Sequence, residues 1–319
     1  MPIPDEPGNS GTPRVAVVIP CFNEEVTIAD VVHQFRNELP DARIWVFDNN
    51  STDQTVERAQ SAGARVLAEA RRGKGFVVQS IFRHIDADIY VMVDGDATYP
   101  APAVHKLIAP IAAGDADMVV GSRLHAQSRS EFKHVNRWAN RLVLRLLKLV
   151  FGVRLTDVLS GYRAFNRRFV KNLALFGGGF EVETELTIKA VMKGYRITEI
   201  PVNLVARPGQ SHSKVRLFRD GMVILSTILT LFRDYKPLTF FGSLGLLLIL
   251  AALVPAFGIG SVRKFPSAIL AVGLGLGGMM SIAIGLLLHS IARRAQEFDY
   301  QVQMLSDQIR RERTGEDGQ

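Results

Sequence analysis

The sequence predicts an α/β domain, a mostly parallel sheet with helices on both faces, followed by a helical membrane hairpin. Three observations carry this. Strand-like and helix-like segments alternate from Arg14 to about Val120, the pattern of parallel strands joined by helical crossovers. Asn23, Asp48 and Asp94 fall at the carboxyl ends of strand-like runs, where such sheets bind ligands. Two stretches, Pro237 to Val262 and Phe265 to Ala292, contain no Asp, Glu, Lys or Arg. Each exceeds the roughly 20 apolar residues that cross a hydrocarbon core.

Val15 to Ile19 reads as a first strand, Asn23 as the N-cap of the next helix with Glu24 and Glu25 in its first turn, and Pro40 as its stop. Ile44 to Phe47 follows as a second strand ending in Asp48. Ser51 and Gln54 have the spacing of a capping box, and Gly63 closes that helix before a third strand at Arg65 to Leu67. Ile89 to Val93 is a fourth strand, and Met118 to Val120 another. Phe180 to Lys193 reads as a helix carrying Glu181, Glu183 and Glu185 early, after a mixed apolar and basic stretch from Arg141 to Val150. Val215 to Leu231 mixes Arg216 and Arg219 with Leu217, Phe218, Met222, Ile224 and Leu225, the composition of a helix lying in a membrane interface. Beyond Ala292, Phe298, Val302, Leu305 and Ile309 keep heptad spacing for about two heptads. The expected divisions are a flexible N-terminus at 1–13, a catalytic domain at 14–214, an amphipathic segment at 215–235, transmembrane helices at 237–262 and 265–292, and a charged tail at 293–319.

The chain of 319 residues has ample material for a core. Its single cysteine, Cys21, excludes an intrachain disulfide. The formal charge of +7 belongs to the latter half, where Lys and Arg outnumber Asp and Glu around apolar stretches. That placement favours lipid headgroups over nucleic acid. Met1 to Pro13 is polar and unlike a cleaved leader. Arg233, Lys236, Arg293 and Arg294 flank the hairpin, against Arg263 and Lys264 in its turn. This bias predicts both ends, and the catalytic domain, on the cytoplasmic side. One apparent motif is set aside: Gly273-x-Gly275-x-x-Gly278 has the dinucleotide spacing but lies inside an apolar stretch, where Gly273 and Gly277 would serve close helix packing.

Asp94-Gly95-Asp96 follows the strand run Ile89 to Val93. Two carboxylates at a strand tip are costly to bury unpaired and point to a cationic partner, although a solvated Asp-Gly turn has the same sequence. The tripeptide has company: Ile19-Pro20-Cys21-Phe22-Asn23-Glu24-Glu25, Asp48-Asn49-Asn50-Ser51-Thr52-Asp53 and Arg72-Gly73-Lys74-Gly75 precede it in order. Together these four motifs resemble the GT-A glycosyltransferases of family 2. Gly121-Ser122-Arg123, Asp157-Val158-Leu159-Ser160-Gly161-Tyr162-Arg163 and Arg207-Pro208-Gly209-Gln210-Ser211-His212-Ser213-Lys214 narrow the resemblance to enzymes similar to dolichyl-phosphate mannose synthase and other polyprenyl-phosphate glycosyltransferases. It covers about Arg14 to Asp220.

The resemblance implies a Rossmann-like GT-A fold and an inverting transfer of one sugar from a nucleotide-diphosphate donor, GDP-mannose or a UDP-hexose, to polyprenyl phosphate. Pro20, Asn23, Glu25 and Asp48 would contact the nucleoside. Lys74, between glycines that let backbone approach a ligand, would meet base or phosphate. Asp94 and Asp96 would hold Mg2+ or Mn2+, with Asp96 the more direct ligand, and the cation would neutralise charge on the departing diphosphate. Arg207, Ser213 and Lys214 would close on the diphosphate. A phosphomonoester acceptor is already anionic near neutral pH, so Asp157 could deprotonate or merely position it while Arg123 and Arg163 hold its phosphate. A buried Asp157–Arg163 ion pair fixing the loop is the alternative. Asp48 is followed by Asn49-Asn50 where the mannose synthases commonly have a second acid, and the metal motif reads Asp-Gly-Asp in place of Asp-Ala-Asp. Base and sugar therefore stay open, as does a homo-oligomeric state.

Two rivals differ in class. Processive polysaccharide synthases share the early motifs, but Asn136-Arg137-Trp138 lacks the Gln of their Gln-x-x-Arg-Trp motif. The other is a non-catalytic membrane anchor that binds nucleotide sugar or headgroups through its basic surface; Asp94, Asp96, Asp157 and Lys214 argue against it, because binding headgroups would not need carboxylates.

Overall fold

The computed structural model describes residues 13–123, 134–179, 181–205, 217–256 and 265–314. It contains two compact units, Met1–Ile228 and Leu229–Gln319. The first holds strands β1 (Val15–Cys21), β2 (Arg43–Asp48), β3 (Arg65–Ala68), β4 (Ile89–Met92), β5 (Met118–Ser122), β6 (Arg163–Asn166) and β7 (Ile197–Pro201). Between them lie α1 (Ile28–Glu38), α2 (Thr55–Ser61), α3 (Lys74–His84), α4 (Val104–Ala112), α5 (His134–Phe151), α6 (Arg167–Asn172) and α7 (Val182–Met192). Helix α8 (Leu217–Tyr235) follows β7 in the chain.

The strands form one sheet in the order β3-β2-β1-β4-β6-β5-β7. All neighbours are parallel except the two pairs made by β6, which runs antiparallel between β4 and β5. Strand β6 is not legible in the sequence. Its four residues, Arg-Ala-Phe-Asn, are too few and too polar at the ends for a period-2 signal. It is nevertheless buried, and it draws the chain that follows Asp157 back into the middle of the sheet.

Alternate residues of each central strand feed opposite layers. Val17, Ile19, Val46 and Val91 pack with Ile28, Phe35 and Leu107 on one face. Ala16, Val18, Phe47 and Met92 pack with Val78, Ile81 and Phe169 on the other. Burial on both faces explains why these strands read as continuous apolar runs.

Two helix starts differ from expectation. Helix α1 begins at Ile28 after Thr27, which makes no capping bond, and Asn23 takes a left-handed backbone with φ 53°. Helix α2 begins at Thr55 with Gln54 before it, so Ser51 is not its cap. In both cases the polar side chain is used across loops instead, as described below.

The second unit contains α9 (Pro237–Ala256) and α10 (Phe265–Thr314). Helix α9 and the Ser267–Val302 part of α10 are long and apolar enough to cross a membrane. Their contact is made where small residues meet: a side chain on Gly245 would collide with Gly278 and Ile282, and one on Gly285 would crowd Phe241. Ser281 adds a hydrogen bond from its Oγ to Phe241 O at 2.8 Å. The expected pair Gly273 and Gly277 is corrected: Gly273 has open space and Gly277 only a distant contact. The packing stripe is Gly278, Ser281 and Gly285, spaced three and four residues apart on one helix face.

Candidate active site

The carboxyl ends of β1 and β2 are cross-linked by their own polar loops. Asn23 N donates to Ser51 Oγ at 2.9 Å, and Asn23 Oδ1 accepts from Thr52 N at 2.8 Å. Glu25 N donates to Asp53 Oδ2 at 3.1 Å, while Glu25 Oε2 accepts from Gln54 N at 3.1 Å. Asp48 accepts from Ser51 N at 3.3 and 3.2 Å. Burial works against a charged Asp53, but the Thr55 hydroxyl and backbone N–H donors hold its carboxyl below the usual range. Pro20 lies on β1 beside Phe47 of β2. The predicted nucleoside residues Pro20, Asn23, Glu25 and Asp48 thus occupy one edge of the sheet.

Asn49 and Asn50, the departures from a second acid, tie this edge to the next loop. Asn49 Nδ2 donates to Glu69 O at 3.1 Å and to Arg71 O at 2.7 Å, while its Oδ1 accepts from Gly73 N at 2.6 Å. Asn50 Nδ2 donates to Ala70 O at 2.7 Å. An amide can both donate and accept here; a carboxylate cannot donate.

Lys74 opens α3 and is clamped between two acids. Its Nζ lies 2.5 Å from Asp94 Oδ1 and 2.6 Å from Glu183 Oε1, with its side chain only 11% exposed. Burial opposes the ammonium charge, but the two carboxylates outweigh it and raise the lysine above its ordinary value. In the sequence Glu183 is only a first-turn helix acid. Its role needs α7 to fold against α3, which periodicity cannot show. The flanking glycines are also reassigned. A side chain on Gly73 would strike Gly178 O, and one on Gly75 would strike Gly177 O. Gly75 N donates to Gly178 O at 3.1 Å. These glycines admit the Gly177-Gly178-Gly179 backbone. Glu185 and Glu181 hold that backbone through Phe176 N, Gly177 N and Gly179 N at 2.8 to 2.9 Å.

The acid motif sits on the same edge. Asp96 Oδ1 accepts from Thr98 N at 3.1 Å and from Thr98 Oγ1 at 2.6 Å. Gly95 is boxed in by Cys21 and Glu24, and its carbonyl accepts from Thr27 Oγ1 at 2.7 Å. On the other side, a side chain on Gly161 would collide with the Asp94 carboxylate. Gly161 N donates to Tyr99 OH at 3.1 Å, and Ser160 Oγ donates to Gly121 O at 2.6 Å. The Asp157 to Arg163 loop is therefore packed directly against the Asp94 to Asp96 turn.

Within that loop Asp157 is buried and paired with Arg123. Arg123 Nε and Nη2 donate at 2.7 and 2.9 Å, and Arg123 N adds a third bond at 3.0 Å. Burial opposes ionisation of Asp157, but the guanidinium prevails and keeps its carboxyl below the usual range. Arg163 is not its partner, correcting that alternative. It is fully buried and donates to Ser160 O at 2.9 Å, Val158 O at 2.5 Å and Thr187 Oγ1 at 3.0 Å. Burial pushes it down to about 10. Arg207, Ser213 and Lys214 lie outside the described residues.

Among the described residues, no three His, Cys, Asp or Glu side chains cluster as a closed metal cage. Asp94 and Asp96 offer carboxylate oxygens alone. One or two carboxylates at a diphosphate suit Mg2+ or Mn2+, which otherwise keep phosphate and water ligands, and do not suit zinc.

A family model described as glycosyl transferase family 2 matches residues 16–174. The chain is 35% identical to a glycosyltransferase, AglJ, of Haloferax volcanii, over 77% of this chain and 78% of that protein. It is 30% identical to a dolichyl-phosphate hexose transferase of the same organism, over 67% and 92% of the two chains. Among solved structures it resembles glucosyl-3-phosphoglycerate synthase of Mycobacterium tuberculosis in complex with Mn2+, uridine-diphosphate and phosphoglyceric acid, with TM-score 0.58 and 26% identity over 68% and 78% of the chains. The motifs that converge on the sheet edge lie within this shared region, and the chain belongs to glycosyl transferase family 2.

Proposed function

We propose that this glycosyltransferase moves a single sugar from a nucleotide-diphosphate donor to polyprenyl phosphate, at a membrane to which α9 and α10 anchor it. The observation that carries the reading is the contact between Gly161 and the Asp94 carboxylate. It joins the metal and diphosphate motif to the loop that resembles the acceptor site of polyprenyl-phosphate glycosyltransferases. Relatives named dolichyl-phosphate hexose transferase and undecaprenyl-phosphate mannosyltransferase support the lipid acceptor.

Pro20, Asn23, Glu25 and Asp48 face the nucleoside. Asp96, with Asp94, would hold Mg2+ or Mn2+, which would neutralise charge building on the diphosphate. Lys74 fixes the orientation of Asp94 and keeps a positive charge at that edge. Arg123 binds the acceptor phosphate. Asp157 has both oxygens engaged by Arg123, so it positions that arginine and does not serve as a base. None is required, since the acceptor phosphate is already anionic. Its oxygen attacks the anomeric carbon in line, a carbon–oxygen bond forms, and the bond to the diphosphate breaks with its electron pair leaving on the diphosphate. Arg163 braces the loop through Val158 O and Ser160 O. The Arg207 to Lys214 run meets the diphosphate, on the strength of its sequence alone. The charge bias around the hairpin supports an active site on the cytoplasmic side.

The test is Asp96→Ala in membranes supplied with polyprenyl phosphate and radiolabelled nucleotide sugars. Lipid labelling should fall to background, and chelation of divalent cations should do the same to the parent. Undiminished labelling in the variant would sink the reading.

A further inference from the structure

Helix α10 does not end with its apolar stretch but runs uninterrupted from Phe265 to Thr314. Its last part, from Arg293 onward, carries five arginines and four acids, and so cannot lie in hydrocarbon. Yet Phe298, Val302 and Leu305 are 66%, 51% and 58% exposed there, a large apolar strip for a surface in water. These residues and Ile309 are spaced four, three and four apart. The same phase runs back through Ala295, Ile291 and Leu288; Leu288 lies two turns beyond Ser281, where the helix meets α9, so the unpartnered strip begins at Ile291.

We propose that this strip pairs with its counterpart in a second copy of the chain, forming a parallel, in-register, two-stranded coiled coil continuous with the membrane helix. The chemistry favours that occupant. Ala295, Val302 and Ile309 fall at the a positions and Ile291, Phe298 and Leu305 at the d positions. The two β-branched residues at a, with Leu305 at d, are the combination that selects two strands. In parallel register the sequence puts Arg294 at g and Asp299 at the opposing e position of the other copy, residues of opposite charge. Two copies inserted in one membrane with the same topology are parallel by necessity. A nearly balanced charge, five Arg against four acids with no Lys, is wrong for a helix lying on anionic headgroups.

Cys21 is the only cysteine and is buried, so single cysteines can be placed on the full chain in membranes. Under mild oxidation Leu305→Cys should give a disulfide-linked dimer, and Met304→Cys, one position along on the outer face, should remain largely monomeric. Asp299→Arg should reduce crosslinking of Leu305→Cys, and Arg294→Asp with Asp299→Arg should restore it. Equal crosslinking at 304 and 305, no crosslinking at either, or indifference to the charge swap would overturn the proposal.

Discussion

Arg123 grips Asp157 with three donors at 2.7 to 3.0 Å, and the carboxylate is wholly buried. Glu199 supports the same corner by accepting from Thr156 N and Asp157 N at 2.8 to 2.9 Å. This arrangement ties the end of β5 to the loop before β6. It places a guanidinium at the edge where the acid motif also lies.

Breaking one side of a buried pair strands the other charge and typically costs about 3–5 kcal/mol. Asp157→Ala should lose stability on that scale. Denaturation of the full chain followed by tryptophan fluorescence would read it, since Trp45 and Trp138 both belong to the catalytic unit. The pH dependence has a definite sign. The folded carboxyl lies below the ordinary value of 3.8, so the pair's stabilisation is complete above that value and is lost as pH falls through the lower folded one. The gap between parent and Asp157→Asn should be constant through the neutral range and should narrow only in acid.

Lys74→Met would leave Asp94 and Glu183 facing each other without the intervening cation. We expect kcat/KM to fall at least about tenfold, equivalent to roughly 1.4 kcal/mol of barrier. Because the acids hold the lysine above its usual value, the parent's alkaline rate profile should show no deprotonation of this group at or below that value. Combining Lys74→Met with Glu183→Gln should be non-additive by about 0.5–3 kcal/mol, as for residues in contact. Simple additivity in the cycle would show that Glu183 acts independently.

Gly161→Ala should strain the junction with Asp94, since overpacking costs about 1–3 kcal/mol. If that contact orients the metal motif, kcat/KM should drop by more than the loss of stability explains. Gly221→Ala, at a helical position with open space around it, is the control and should leave kcat/KM unchanged without lowering stability.

Asn49→Asp would restore a second acid after Asp48 but remove the two donors that hold Glu69 O and Arg71 O. Lost partners of buried groups cost about 1–3 kcal/mol. The variant should therefore be less stable and slower than the parent, measured by unfolding and by initial rate. A gain in rate would show that the amide is a substitute for a catalytic acid.

The sequence revealed most of what local patterning can encode. β1, β2, β3, β4 and β5 appear near their expected positions because buried strands read as apolar runs, and Asp48 and Asp94 mark where two of them end. Asn23 and Ser51 misled because an Asn or Ser before a helix has the same composition whether it caps that helix or bonds another loop 28 residues away. β6 and Glu183 were invisible for a related reason: both acquire meaning only from partners distant in the chain, Ile89 to Met92 for one and Lys74 for the other. Gly73 and Gly75 read in the sequence as places where backbone approaches a ligand. What approaches them is the Gly177-Gly178 backbone, a glycine run whose significance depends on that contact.

The central claim is a sugar leaving a nucleotide diphosphate for a lipid phosphate. Incubating the full chain in membranes with polyprenyl phosphate and a panel of GDP- and UDP-sugars, then weighing the extracted lipid by mass spectrometry, tests it most directly. The account predicts a lipid heavier by one sugar residue with one class of donor, absent from Asp96→Ala membranes. Lipid that gains no sugar, or gains a run of several, would contradict it.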